Sequence, residues 1–128
     1  MFKLLCDLRG MKKDRKEKFE MLENCILMHN VLVDDYENKK YELGKVSINN
    51  IENNFKIVID YMESYIDTVQ ESINQIDDPE VEVYFSSLIL RDKMEALNDD
   101  YKEILKEIKS LYKIVNPIIN EYREKILK

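Results

Sequence analysis

MEALNDDYKEILKEIKSLYKIVNPIINEY, residues 94–122, decides the fold. Within it Met94, Leu97, Tyr101, Ile104, Ile108, Leu111, Val115, Ile118 and Tyr122 recur at alternating steps of three and four. That spacing places them all on one helical stripe. Its mean step of about 3.5 favours a left-handed supercoil with other apolar stripes over a lone helix in water. Partner helices must come from the rest of the chain or from another molecule.

Upstream, Ile48, Ile51, Phe55, Val58, Met62, Tyr65, Val69 and Ile76 repeat the pattern, with a second seam at Ile59, Ile66 and Ile73. They define a helix over 48–77 whose face is wide enough to touch two neighbours. Phe19, Leu22, Ile26, His29, Val33, Tyr36 and Leu43 mark a helix over 11–43. Gly44 offers a positive backbone angle as its C-cap, and Ser47 is an N-cap for the helix that follows. A reversal that short makes the two helices antiparallel neighbours. Asp78 and Pro79 open a third helix over 79–127, with a candidate break near Asn98 and a candidate kink near Pro117. Residues 1–10 read as a short amphipathic segment interrupted at Gly10. The expected fold is one all-α domain over 1–128. It is an antiparallel three-helix coiled-coil bundle, or a four-helix one if the chain breaks near 98, with a long C-terminal helix.

Composition agrees. A chain of 128 residues can bury an independent core, and two glycines and two prolines leave little material for tight sheet turns. Ala96 is the only alanine, so intrinsic helix propensity is weak and packing must hold the helices. The formal charge of −6 is unevenly spread. Residues 1–18 carry seven basic and three acidic side chains, 19–100 six and nineteen, and 101–128 seven and four. The acidic middle repels phosphate backbones, so no nucleic-acid partner is expected. Two cysteines make no disulfide framework. No run approaches the roughly 18 apolar residues that span a bilayer, and the first residues are too short and too charged for a signal peptide. The expected location is the cytoplasm.

Little of the sequence carries chemistry. Cys25 and His29, four residues apart, share a helix face, but a metal site needs three or four ligands and Cys6 is the only other soft one. His29 sits on the core stripe and reads as structural. The architecture is similar in shape to histidine phosphotransfer bundles, yet Asn30-Val31-Leu32 supplies none of their acidic or Lys-Gly neighbours. Neither Glu-x-x-His nor a glycine-rich phosphate loop is present. The expectation is a non-enzyme with no catalytic, cofactor-binding or metal-ligating residues.

One geometric argument points to contact as the function. If the third helix is continuous it outreaches the other two by about 20 Å at 1.5 Å per residue. A second seam, Leu105, Tyr112, Ile119 and Ile126, there widens the stripe that holds Ile118 and Tyr122. These six residues are the candidate interface, covered by a second copy or by a heterologous helical partner. The chain thus reads as a protein–protein interaction module, an adaptor, scaffold or inhibitor. Three alternatives stand beside it: a peripheral membrane protein touching lipid through residues 1–18, a phosphotransfer bundle using His29, and an acidic mimic of nucleic acid.

Overall fold

The computed structural model describes residues 2–76 and 85–127. Three long helices, α1 (Phe2–Glu37), α2 (Lys45–Ile76) and α3 (Phe85–Glu121), follow one another, and α3 runs directly into a π-helical turn at Tyr122–Ile126. Among the described residues there is no strand. The chain is an all-α bundle in which α1 and α2 both pack mainly on α3 and only sparsely on each other.

Interhelical bonds set the register. Tyr36 donates to Glu121, Tyr122 to Asp35 and Tyr101 to the Met11 carbonyl, at separations of 85, 87 and 90 residues. A nearly constant offset means that α1 and α3 run parallel. Between α1 and α2 the separation falls from 51 for Asp14 and Tyr65 to 29 for Cys25 and Asn54. These two are therefore antiparallel.

The stripes of α2 and α3 sit as their periodicity requires. Ile48, Ile51, Phe55, Val58, Met62 and Val69 are buried, and so are Ile66 and Ile73 of the second seam. On α3 the core takes Met94, Tyr101, Ile108, Val115 and Tyr122 from the first stripe. Asn98, Leu105 and Ile119, each one position past a stripe residue, are buried with them, so both seams face inward.

Helix α1 departs from its reading. It starts at Phe2 and passes through Gly10 without interruption, because a helix tolerates one glycine at a cost of about 1 kcal/mol. Its buried line is Leu8, Met11, Lys18, Leu22, Cys25, Leu32 and Asp35. The expected stripe is displaced by one position, leaving Phe19 and Ile26 at 41% and 39% exposure. Lys18 explains the rotation. Its side chain is 0% exposed, with Nζ 4.6 Å from the Tyr61 ring centre and 4.3 Å from that of Tyr65, and it donates to the Tyr61 hydroxyl at 3.1 Å. Two aromatic faces substitute for the water that a buried ammonium loses.

The α1–α2 reversal also differs. Helix α1 ends at Glu37, not 43, and residues 38–44 form a longer connection. Gly44 does not take a positive φ; Lys39 (54°) and Tyr41 (49°) do. What fixes the turn is Asp35, whose carboxylate accepts the Glu42 and Leu43 amides at 3.0 and 3.4 Å and the Tyr122 hydroxyl. Helix α2 begins at Lys45, so Ser47 lies inside its first turn and is not the cap. The expected Asp78 cap and Pro79 first turn lie outside the described residues. Helix α3 is continuous through Asn98 and Pro117. Asn98 caps nothing, being 1% exposed and donating its amide to the Ile66 carbonyl of α2 at 3.3 Å.

Candidate interaction face

The residues expected at the interface lie inside the bundle. Ile119 and Tyr122 are fully buried and Leu105 is buried. The Tyr112 ring packs 5.8 Å from that of Phe55, and Ile118 and Ile126 are partly buried against the core. The overhang argument fails for a definite reason. The register sets the α1–α2 reversal beside the end of α3, where Tyr36 of α1 bonds Glu121 and Glu52 of α2 pairs with Arg123, so both helices reach the segment expected to overhang. A parallel neighbour of 36 residues, about 54 Å, covers the helix that seemed too long.

The displacement that covers α3 uncovers part of α1. Phe19, Ile26 and Val33 recur at seven residues, hence along one line of the helix. Beneath that line is a depression of about 370 Å³ between α1 and α3, lined by Leu22, Ile26, Glu103, Lys106, Glu107, Ser110 and Leu111. The α1–α3 offset places Ile114, 50% exposed, level with the turn from Ile26 to His29. The floor is thus aliphatic, and its rim is charged on the α3 side. At the near end the Arg15 guanidinium stands 5.6 Å over the Phe19 ring and pairs with Asp100 at 3.6 Å, which fixes the aromatic where the groove opens. A strip this apolar on two parallel helices is shaped for a further helix laid along it.

Cys25 and His29 do not converge on a site. Cys25 is fully buried, with the Asn54 amide 3.8 Å from its sulfur, and burial pushes its thiol up to about 11. A thiol so raised carries almost no thiolate at neutral pH and is a poor nucleophile or ligand. His29 is partly exposed and bonds the neighbouring Asn30 side chain at 2.9 Å. Among the described residues no group of three or more His, Cys, Asp or Glu side chains is arranged to hold a metal ion. None of their helices is long and apolar enough to cross a membrane. Of the N-terminal apolar face, Leu8 and Met11 are buried in the bundle.

Two polar clusters escaped the sequence reading. Around Lys18, Tyr65 donates to Asp14 at 3.3 Å and its ring meets Tyr101 edge-on at 5.6 Å; burial raises both phenols, Tyr101 to about 12. At the opposite end Asp35 is buried, which alone would raise its pKa, but the Tyr122 hydroxyl, two backbone amides and Lys40 bring it below the ordinary aspartate value. Period-based reasoning places Lys18 and Asp35 in solvent; only the tyrosines on other helices reveal otherwise. Comparison with known protein families, curated proteins and solved structures gives no match.

Proposed function

We propose that this chain is a non-enzymatic protein–protein interaction module that receives an amphipathic helix of a partner in the groove between α1 and α3. The observation that carries the reading is the line Phe19, Ile26, Val33 beside Ile114. Phe19, Ile26 and Ile114 are left 39 to 50% exposed, with Val33 partly exposed on the same line and Ile26 lining the groove itself, while equivalent stripes on α2 and α3 are buried. Isolated exposed apolar residues are ordinary, but an aligned set above a cavity marks a contact surface. The partner's apolar residues at i, i+3/i+4 and i+7 would repeat the spacing of the line they meet.

A photo-crosslinking residue placed at Ile26, and in a control at exposed Ser47 in the first turn of α2, tests this in the cell of origin. The expected result is a discrete adduct from position 26 that is competed away by unlabelled wild type and not by an unlabelled Phe19→Asp, Ile114→Asp variant. Equal yields at 26 and 47 would overturn the reading.

A further inference from the structure

The face of α3 next to that groove, turned toward α2 and sharing Lys106 and Ser110 with its rim, carries a different pattern. Lys102, Lys106, Lys109 and Lys113, at steps of four, three and four, are all exposed and line a second depression on α3, of about 380 Å³, over buried Leu105. Next to them, α2 presents Asp60, Glu63, Asp67 and Glu71; Asp60, Asp67 and Glu71 are exposed. Two ion pairs tie the stripes together, Lys109 to Glu63 at 2.7 Å and Arg123 to Glu52 at 2.8 Å.

Those pairs also fix the level of each residue. In antiparallel helices the residue numbers of facing positions have a constant sum, here 172 to 175. Lys113 is then level with residues 59–62, Lys106 with 66–69 and Lys102 with 70–73. Asp60, Asp67 and Glu71 fall one in each interval. They point outward on α2, and among the described residues Lys106 and Lys113 have no ion-pair partner, while Lys102 reaches only Asp99 at 3.8 Å.

We infer that this face pairs with a second copy of the chain about a two-fold axis parallel to the helices. Such an axis lays α3 of one protomer on α2 of the other without changing level, and the contact is isologous. Lys113 then meets the partner's Asp60, Lys106 the partner's Asp67 and Lys102 the partner's Glu71, each contact made twice. The same axis turned perpendicular to the helices would set lysine against lysine along α3, so the charges select the orientation. Exposed ion pairs are individually weak and screened by salt. The dimer is accordingly one that forms at low ionic strength and dissociates as salt rises.

Sedimentation equilibrium of the full chain decides the matter, together with two variants. One carries Lys102→Glu, Lys106→Glu and Lys113→Glu, and the other Asp60→Lys, Asp67→Lys and Glu71→Lys. All six positions are exposed, and circular dichroism verifies that each variant keeps its helices. Wild type should double its mass at low salt, with the dissociation constant rising about tenfold or more toward molar salt. Each variant alone should be a monomer, and the equimolar mixture should recover the dimer. A wild-type monomer at low salt and high micromolar concentration overturns the inference, as does a variant that self-associates like wild type. Either failure leaves the groove reading standing, because position 26 is not part of this face.

Discussion

Replacing Asn98 with leucine should stabilise the protein. Its side chain is 1% exposed, its amide makes one long bond of 3.3 Å to the Ile66 carbonyl, and its Oδ1 has no partner among the described residues. A buried acceptor left unpaired costs about 1 to 3 kcal/mol, and the bond that the change removes contributes about 0.5 to 1 kcal/mol, since the Ile66 carbonyl keeps its place in the α2 ladder. The larger leucine introduces some overpacking, of order 1 kcal/mol, against which it adds apolar burial of similar size. The net is a gain of about 1 to 2 kcal/mol. For a domain of this length that corresponds to a rise in Tm of about 3 to 10 °C. In urea the midpoint should rise at unchanged slope, which separates a stability change from a change in denatured-state compactness. Asn98→Val, which adds little volume, controls for crowding. If both variants lower the midpoint, the orphaned-acceptor argument is wrong and Oδ1 is satisfied in solution by an interior water.

Two further outcomes follow from the helix ends and the glycine. Gly10→Ala should raise stability by about 0.5 to 1 kcal/mol, because Gly10 lies within α1 and a methyl group there meets no atom within 4 Å; an unchanged or lower urea midpoint would contradict a continuous α1. Acid should loosen the α1–α2 reversal. Since Asp35 has its folded pKa below the unfolded aspartate value near 3.9, its contribution is complete above about pH 4 and is lost as pH falls through the folded pKa. Tyr122→Phe removes one donor to that carboxylate, so its midpoint should fall less than that of wild type on acidification; equal pH dependence would show that Tyr122 does not hold Asp35 ionised.

What the sequence disclosed, and what it withheld, divides by the reach of the forces involved. The cores of α2 and α3 were legible because Ile48 to Val69 and Met94 to Tyr122 are apolar at nearly every inward position, so period alone fixes the face. Helix α1 was not, since two of its inward positions are Lys18 and Asp35. A lysine enters a core only where something compensates its lost hydration, and Tyr61 and Tyr65 stand 43 and 47 residues away in the chain. The residues expected at an interface on α3 are buried because the register brings Tyr36 and Glu52 level with its C-terminal end. Conversely, Phe19, Ile26 and Val33 stand as a line in the sequence itself; what the sequence lacks is the rotation that turns it from core to groove. The charge stripes were present in the sequence as well, but their alignment depends on a register that only Lys109–Glu63 and Arg123–Glu52 reveal.

The parallel pairing of α1 with α3 has a consequence for synthesis. Residues that bond Tyr36 and Asp35 leave the ribosome 85 to 87 positions after them, an interval of about 4 to 17 s at 5 to 20 residues per second. Through that time α1 has only α2 to lean on, and those two helices touch sparsely. Lys18 finds its tyrosines and Cys25 its Asn54 early, whereas Tyr36 and the carboxylate of Asp35 wait for Glu121 and Tyr122 of α3. The nascent chain therefore carries an α1 without its main packing partner until α3 is made, and a chain cut short before Tyr122 should be a client for chaperones and proteases instead of a smaller folded protein.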